Sequence, residues 1–132
     1  MILYADSSAL LKRVVVEAES TTVRAVLAER AAAGDLVTAS SLAWLEVWRA
    51  LRRAHARGAG ALVAQALSGV AEHELTPEVL AQARQVGPDG LRTLDALHLA
   101  SVVAVSADAV LTFDHRLAEA VRGLGIEVYA PT

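Results

Sequence analysis

The sequence ILYADSSALLK, at residues 2–12, decides the fold class. Its first four residues form a short apolar run, which predicts a buried strand. Asp6, Ser7 and Ser8 then interrupt that run with polar side chains that commonly cap helices. Small and apolar residues follow, and we expect a helix over residues 9–16. A strand that leads directly into a helix is the repeating unit of parallel α/β proteins.

The same alternation of strand and helix continues along the chain. Apolar, β-rich segments predict further strands at residues 36–38, 70–75, 109–113 and 126–129. Capping residues and helical spacing predict helices at 20–33, from Ser40 or Ser41 to about Gly58, at 61–67, and from Thr76, Thr93 and Asp114 onward. The pattern predicts a three-layer α/β/α sandwich around a mainly parallel sheet of four to five strands, in one domain over residues 1–132.

Composition excludes several classes of protein. The chain has no cysteine, so disulfides and thiolate metal sites are excluded, and this usage is typical of cytoplasmic proteins. No segment approaches the ~20 apolar residues of a membrane span, and the start resembles no signal peptide. The net charge of −3 does not by itself indicate a nucleic-acid partner. Four arginines nevertheless form a local basic strip, at Arg49, Arg52, Arg53 and Arg57.

Four acidic residues are predicted to converge at one edge of the sheet. Asp6 and Asp114 each follow a predicted strand, and ligands of parallel sheets bind beyond the carboxyl ends of strands. Asp95 begins a helix whose length matches the strand that follows it, so Asp95 and Asp114 should share one end. Glu46 lies about six residues into the helix after the second strand, within reach of the same edge. Taken singly, each acid has an ordinary alternative as a helix cap, a dipole partner or an exposed side chain.

Four converging carboxylates need a counter-charge. Two unit charges about 4 Å apart repel by about 4 kcal/mol at an effective dielectric constant near 20. A hard divalent cation relieves this repulsion, and Mg²⁺ or Mn²⁺ suits an all-oxygen site without sulfur or paired histidines. Such ions activate water and neutralise phosphodiester charge, which is the chemistry of many nucleases.

The motifs around these acids resemble the PIN domain family, and within it the VapC-type toxins of bacterial toxin–antitoxin pairs. Four segments carry the resemblance: YADSSALLK at 4–12, SLAWLEVWRAL at 41–51, LRTLDALHLA at 91–100 and VLTFDHRL at 110–117. The ending GIEVYAP at 125–131 is similar too. The resemblance spans nearly the whole chain, with Asp6, Glu46, Asp95 and Asp114 as the acids of its metal site.

The resemblance implies a PIN fold and a ribonuclease that uses Mg²⁺ or Mn²⁺. It also implies an RNA substrate, a VapB-type antitoxin as inhibitor, and a homodimer. We expect four residues beside the acids to position them or to contact substrate: Ser7, Arg92, Thr112 and Arg116. His98 is expected to be a structural histidine, and His115 to lie in a capping turn. Of Trp44 and Trp48, one should pack in the core, and the pair suggests a protein-binding surface.

Other classes of protein remain as alternatives. A phosphatase of the haloacid dehalogenase type needs an aspartate two residues after the first, where this chain has Ser8. A receiver domain needs a lysine after a late strand, whereas Lys12 is the only lysine and lies early. A third alternative is a catalytically degenerate PIN domain that acts as a binding module. The presence of all four acids argues against it, and an activity assay decides between the two.

Overall fold

The computed structural model describes residues 1–55 and 57–129. Within these ranges the strands are β1 (Ile2–Ala5), β2 (Leu36–Ser40), β3 (Ala71–His73), β4 (Ala109–Leu111) and β5 (Glu127–Tyr129). The helices are α1 (Ser7–Leu11), α2 (Ser20–Ala32), α3 (Ser41–Ala54), α4 (Ala59–Ala66), α5 (Pro77–Ala83), α6 (Thr93–Ala104) and α7 (His115–Gly123). Ala130 and Pro131, at the end of the resemblance quoted above, lie outside the described residues.

The five strands form one sheet in the order β3-β2-β1-β4-β5, and every pairing is parallel. Strand β1 is central, with Leu3 paired to Val37 of β2 on one side and to Ala109 of β4 on the other. The chain therefore builds the sheet outward from β1 in both directions. Ligand sites of parallel sheets form where the strand order reverses in this way, which here is the carboxyl end of β1 and β4.

Helices cover both faces of the sheet. On one face α1, α2, α3 and α4 pack against Leu3, Val37 and Leu111. On the other face α6 and α7 pack against Tyr4 and Val110. These two cores confirm the three-layer architecture and the sheet of five strands. None of the helices in the ranges 1–55 and 57–129 is long and apolar enough to cross a membrane.

The helix expected over residues 9–16 is wrong at both ends. Helix α1 begins at Ser7 and ends at Leu11, because Asp6 caps it and the next residues form turns. The backbone N–H groups of Val14 and Val15 both donate to the carbonyl of Leu11, which closes the chain into a turn. The side chain of Lys12 then forms ion pairs with two glutamates of the following loop, Glu17 and Glu19.

Three other boundaries differ from the sequence prediction. Thr93 is the first residue of α6, and Arg92 holds the capping position without a side-chain hydrogen bond. Strand β4 ends at Leu111, so two residues separate it from Asp114. Helix α3 ends at Ala54, because His55 leaves the helical conformation with φ of −136° and ψ of 87°. Gly58, which is left-handed with φ of 78°, then precedes α4. Arg57 therefore does not continue a helical stripe of arginines.

Candidate active site

Asp6 occupies the carboxyl end of the central strand and is only 3% exposed. Its Oδ1 caps α1 by accepting from the N–H of Ala9 (3.1 Å) and from the hydroxyl of Ser8 (2.7 Å). Its Oδ2 accepts from the hydroxyl of Thr112 at 2.6 Å. Burial raises the pKa of Asp6, and the neighbouring His98 and the Thr112 and Ser8 hydroxyls counteract part of that rise.

Glu46 is half-buried on α3 and faces the same edge. Its Oε1 accepts hydrogen bonds from the Ser7 hydroxyl (3.2 Å) and from Nε2 of His98 (2.7 Å). The other ring nitrogen, Nδ1, lies 2.7 Å from the buried Tyr4 hydroxyl, which itself accepts from the N–H of Ser40. Because a carboxylate only accepts, Nε2 carries a proton and donates to Glu46, and in the neutral ring Tyr4 then donates to Nδ1. His98 is thus buried and satisfied as expected, but it also holds a site acid, which the sequence prediction missed.

Asp95 and Asp114 are the other two acids near the carboxyl end of β1 and β4. Asp95 is the third residue of α6 and is 9% exposed. Burial, and after it the negative charge of Asp114, raises the pKa of Asp95, whereas His98, Arg116 and Arg92 lower it. Asp114 caps α7 through Oδ1, which accepts from two backbone N–H groups at 2.9 and 3.2 Å. The two carboxylates are therefore close enough to repel each other.

One network of hydrogen bonds connects the elements that carry the acids. Thr112 donates to Asp6 and accepts from the N–H of Asp114 at 3.0 Å, which joins β1 to the start of α7. His98 of α6 holds Glu46 of α3 and is near enough to Asp6 and Asp95 to affect the pKa of both. The four acids named from the sequence thus lie around one end of β1 and β4, and Ser7 and Thr112 are bonded to them.

The oxygen atoms around this edge suit a hard cation. In the ranges 1–55 and 57–129, no hydrogen bond reaches Oε2 of Glu46, Oδ2 of Asp114 or the carboxylate of Asp95. These are carboxylate oxygens without sulfur nearby, the ligand chemistry of Mg²⁺ and Mn²⁺. No group of three or more His, Asp or Glu side chains in the described part of the chain is already arranged to hold an ion. To hold a cation together these side chains would have to turn toward it, and Glu46 and Asp114 each have one oxygen without a hydrogen bond to a described residue.

The arginines and tryptophans singled out from the sequence lie on helix α3, together with Glu46. Arg49, Arg52 and Arg53 are exposed on the second half of α3, where positive charge also stabilises the end of a helix. Trp44 is the tryptophan that packs against the core, whereas Trp48 is 44% exposed.

The PIN domain family model matches residues 3–123 of this chain. The chain belongs to the PIN domain family. The chain is 33% identical to ribonuclease VapC47 of Mycobacterium tuberculosis over 132 residues, which cover 98% of this chain and 97% of that protein. It is 37% identical to ribonuclease VapC46 of the same species over 134 residues, 98% of each chain. These relatives identify it as a VapC-type PIN domain, as the motifs indicated.

Solved structures support the PIN fold. The crystal structure of Mycobacterium tuberculosis VapC20, described as a toxin that cleaves the sarcin–ricin loop, has a TM-score of 0.75 at 20% identity. It covers 98% of this chain and 99% of its own. The VapBC2 structure from Rickettsia felis, bound to a promoter DNA fragment, has a TM-score of 0.77 at 12% identity and covers 98% of each chain. At these identities the likeness is one of fold alone.

The hydrogen bonds of the Thr112 hydroxyl predict that this residue affects both the stability of the protein and its affinity for a metal ion. We expect Thr112→Val to lower the free energy of unfolding by about 1–3 kcal/mol, because the buried Asp6 loses a donor and the Asp114 N–H loses its acceptor. Affinity for Mn²⁺ should fall by about 10–100-fold, the usual effect of removing a partner that orients a metal ligand. Thr112→Ser, which keeps the hydroxyl, is the matched control. If Thr112→Val had the stability and the metal affinity of the parent, Thr112 would not orient Asp6 for metal binding.

The repulsion at Asp95 predicts a pH-dependent effect on stability. Because burial and Asp114 raise the pKa of Asp95, its ionised form destabilises the metal-free fold at pH 7. We therefore expect Asp95→Asn to match or exceed the Tm of the parent at pH 7 without metal. The difference should shrink as pH falls toward about 4, the ordinary pKa of an aspartate, because a carboxyl whose pKa is raised by folding takes up its proton before the same group in the unfolded chain does. Thermal unfolding in chelator across this range measures it, and a lower Tm for the variant at pH 7 would indicate a purely structural aspartate.

Proposed function

We propose that this PIN domain protein is a divalent-metal-dependent endoribonuclease that serves as the toxin of a VapBC-type toxin–antitoxin pair in the cytoplasm. The observation that carries the proposal is the gathering of Asp6, Glu46, Asp95 and Asp114 from four segments of the chain at one end of the sheet. Like charges are costly to collect, so their assembly favours a cationic cofactor over a structural role. The ribonuclease names of the relatives support RNA as the substrate.

Each side chain has a role that follows from its contacts. Mg²⁺ or Mn²⁺ held by the four carboxylates would supply an activated water and neutralise charge on the phosphodiester. Thr112 and Ser8 fix the orientation of Asp6 through its two oxygens. Ser7 and His98 hold one oxygen of Glu46 and leave the other free. These bonds set the geometry before RNA binds, which reduces the reorganisation needed during the reaction.

Two arginines flank the acids and suit the phosphates of RNA. Arg92 and Arg116 are exposed, and both are near enough to Asp95 to lower its pKa. A guanidinium pairs with a phosphate through two parallel hydrogen bonds, which fixes the backbone of a strand. We assign them to substrate phosphates on either side of the bond that is cut.

The direct test of this function is to map RNA ends after brief induction of the chain in cells. We expect new ends at defined positions for the parent, and none for Asp6→Asn, which removes a site charge but keeps the shape of the side chain. Asp108→Asn is the matched control, because Asp108 is exposed at the opposite edge of the sheet and binds the Ile2 N–H. Identical RNA ends for the parent and Asp6→Asn would refute the proposal and favour a degenerate PIN domain that only binds.

The antitoxin partner follows from the same acidic site. An arginine guanidinium forms two parallel hydrogen bonds with a carboxylate, so a partner segment that inserts an arginine among these acids would block the binding of both metal and substrate. Apolar residues of that segment could pack near the exposed Trp48. We propose a small antitoxin with a C-terminal segment that folds onto the chain in this way, and a homodimer of the chain itself. Co-expression with the product of an adjacent small reading frame tests it, and a complex that cleaves RNA as fast as the free chain would refute it.

A further inference from the structure

A cavity of about 600 Å³ lies between helix α7 and the loop that leads into α6. On the helix side it is lined by Arg116, Glu119 and Gly123, and on the loop side by residues that include Pro88 and Leu91. Its volume lies within the range of about 300–1,000 Å³ that is usual for small-molecule sites. Arg116 is the residue with a role in the site described above that also lines this cavity.

The cavity adjoins the acidic edge. Arg116 lines it and is also near enough to Asp95 to lower the pKa of that residue. Leu91 directly precedes Arg92, the capping residue of α6, and Asp95 lies three residues after Arg92. From Arg116 the helix face continues through Glu119 to Gly123, about 10 Å farther at a rise of roughly 1.5 Å per residue. The cavity therefore runs from the acids along one face of α7.

The side chains around the cavity match the parts of a nucleotide. Pro88 and Leu91 give apolar walls, against which the flat face of a base can be buried. Arg116, at the end near the acids, is a cation suited to the adjoining phosphate. Glu119, one turn deeper along the helix, is a carboxylate, which repels phosphate but accepts hydrogen bonds from the N–H groups of a base.

We infer that this cavity binds the base of the nucleotide beside the bond that is cut, with Glu119 selecting a base that offers amine donors. The inference rests on the proposed ribonuclease function and adds a specificity-determining residue to it. Guanine offers two adjacent N–H donors on its pairing edge, which a carboxylate accepts together. Uracil offers a single N–H between two carbonyl oxygens, and these would face the carboxylate. Guanine is therefore the best match, and uracil is disfavoured.

Gly123 allows the cavity to be filled without altering any site acid. Among the described residues, a Cβ built at Gly123 meets nothing within 4 Å, and Gly123 lies outside the left-handed region, so Gly123→Leu adds its side chain at the cavity wall without backbone strain. Glycine is also a poor helix residue, so the substitution should not lower stability. Gly60→Leu is the matched control, because Gly60 lies on α4 at the other face of the sheet and, among the described residues, its Cβ would meet only Trp48, at 3.7 Å.

The first experiment cuts a random-sequence RNA pool and compares the base found at each position around the cut. We expect the parent and Gly60→Leu to share a preference for guanine over uracil of about tenfold at one flanking position. Glu119→Gln should weaken that preference, and Glu29→Gln, at an exposed position on α2, should not. Gly123→Leu should lose the preference and raise KM about tenfold with little change in kcat. An unchanged base preference in both Glu119→Gln and Gly123→Leu would overturn the inference. It would also be overturned if Gly60→Leu changed the base preference and the KM as much as Gly123→Leu does.

A second experiment does not depend on cleavage. Titration of guanosine 5′-monophosphate into the isotope-labelled protein should shift the backbone amide resonances of Leu91 and Glu119, and uridine 5′-monophosphate should bind at least several-fold more weakly. Gly123→Leu should abolish the shifts. If the parent binds guanosine monophosphate here but cuts no RNA, the proposed function fails and the cavity assignment stands. If the parent cuts RNA but these resonances do not respond to any nucleotide, the cavity assignment fails and the proposed function stands.

Discussion

Replacement of Asp95 by asparagine should reduce RNA cleavage by about 10²–10⁴-fold while the fold stays intact. Polarisation by a metal ion contributes several kcal/mol to a transition state, and about 1.4 kcal/mol corresponds to a tenfold change in rate. Asparagine keeps the size of the side chain but removes the charge that holds the cation. Asp95 has no hydrogen bond to another described residue that the change would break, so the loss should be chemical.

Three measurements separate this expectation from simple damage to the protein. Single-turnover cleavage of a fixed RNA gives the rate of the chemical step for the parent and the variant. Circular dichroism and Tm without metal should show a folded Asp95→Asn variant. Asp108→Asn, at the opposite edge of the sheet, should cleave at the rate of the parent. A rate for Asp95→Asn within about threefold of the parent would contradict the role given to this residue.

Removal of divalent ions should have an effect of similar size. We expect excess chelator to reduce cleavage by about a thousandfold, because carboxylates alone neither activate water at neutral pH nor neutralise phosphate charge. Added Mg²⁺ or Mn²⁺ should restore the rate. Ca²⁺ should restore less, since its longer and more variable bonds suit a compact carboxylate site less well.

The chelation experiment needs a control for loss of RNA binding. Binding of the same RNA to the parent, measured in chelator, should persist if Arg92 and Arg116 hold the phosphates. Full cleavage in chelator would rule out a metal-dependent mechanism, whatever the binding result.

The fold could be predicted from the sequence because strand and helix signals alternate along the whole chain. Asp6 after a short apolar run predicted the end of β1 correctly, and Pro77 after Thr76 predicted the start of α5. Helix ends were less predictable. Helix α1 ends at Leu11 because the next residues form turns and because Lys12 pairs with residues of the following loop. Neither feature requires a glycine or a proline, so the sequence carries no local signal for this helix end.

The gathering of the four acids at one end of the sheet could be predicted from the sequence, but the hydrogen bonds that connect them could not. Position after a strand was enough to name Asp6 and Asp114, because parallel strands end at a common edge. The role of His98 depends on Tyr4 and Glu46, which are 94 and 52 residues away along the chain. Such long-range hydrogen bonds leave no local signal, and an isolated histidine on an apolar helix face looks structural. The cavity beside α7 was missed for the same reason, since it exists only between two packed elements.

Direct binding of Mn²⁺ is the measurement that tests the central claim, that these four carboxylates form a metal site. Electron paramagnetic resonance of free Mn²⁺ during titration of chelator-treated protein counts the bound ions and gives their affinity. We predict that the parent and Asp108→Asn bind Mn²⁺ equally, and that Asp95→Asn and Glu46→Gln bind it at least about tenfold more weakly. Equal binding by all four proteins, or no binding by the parent at millimolar Mn²⁺, would contradict the account.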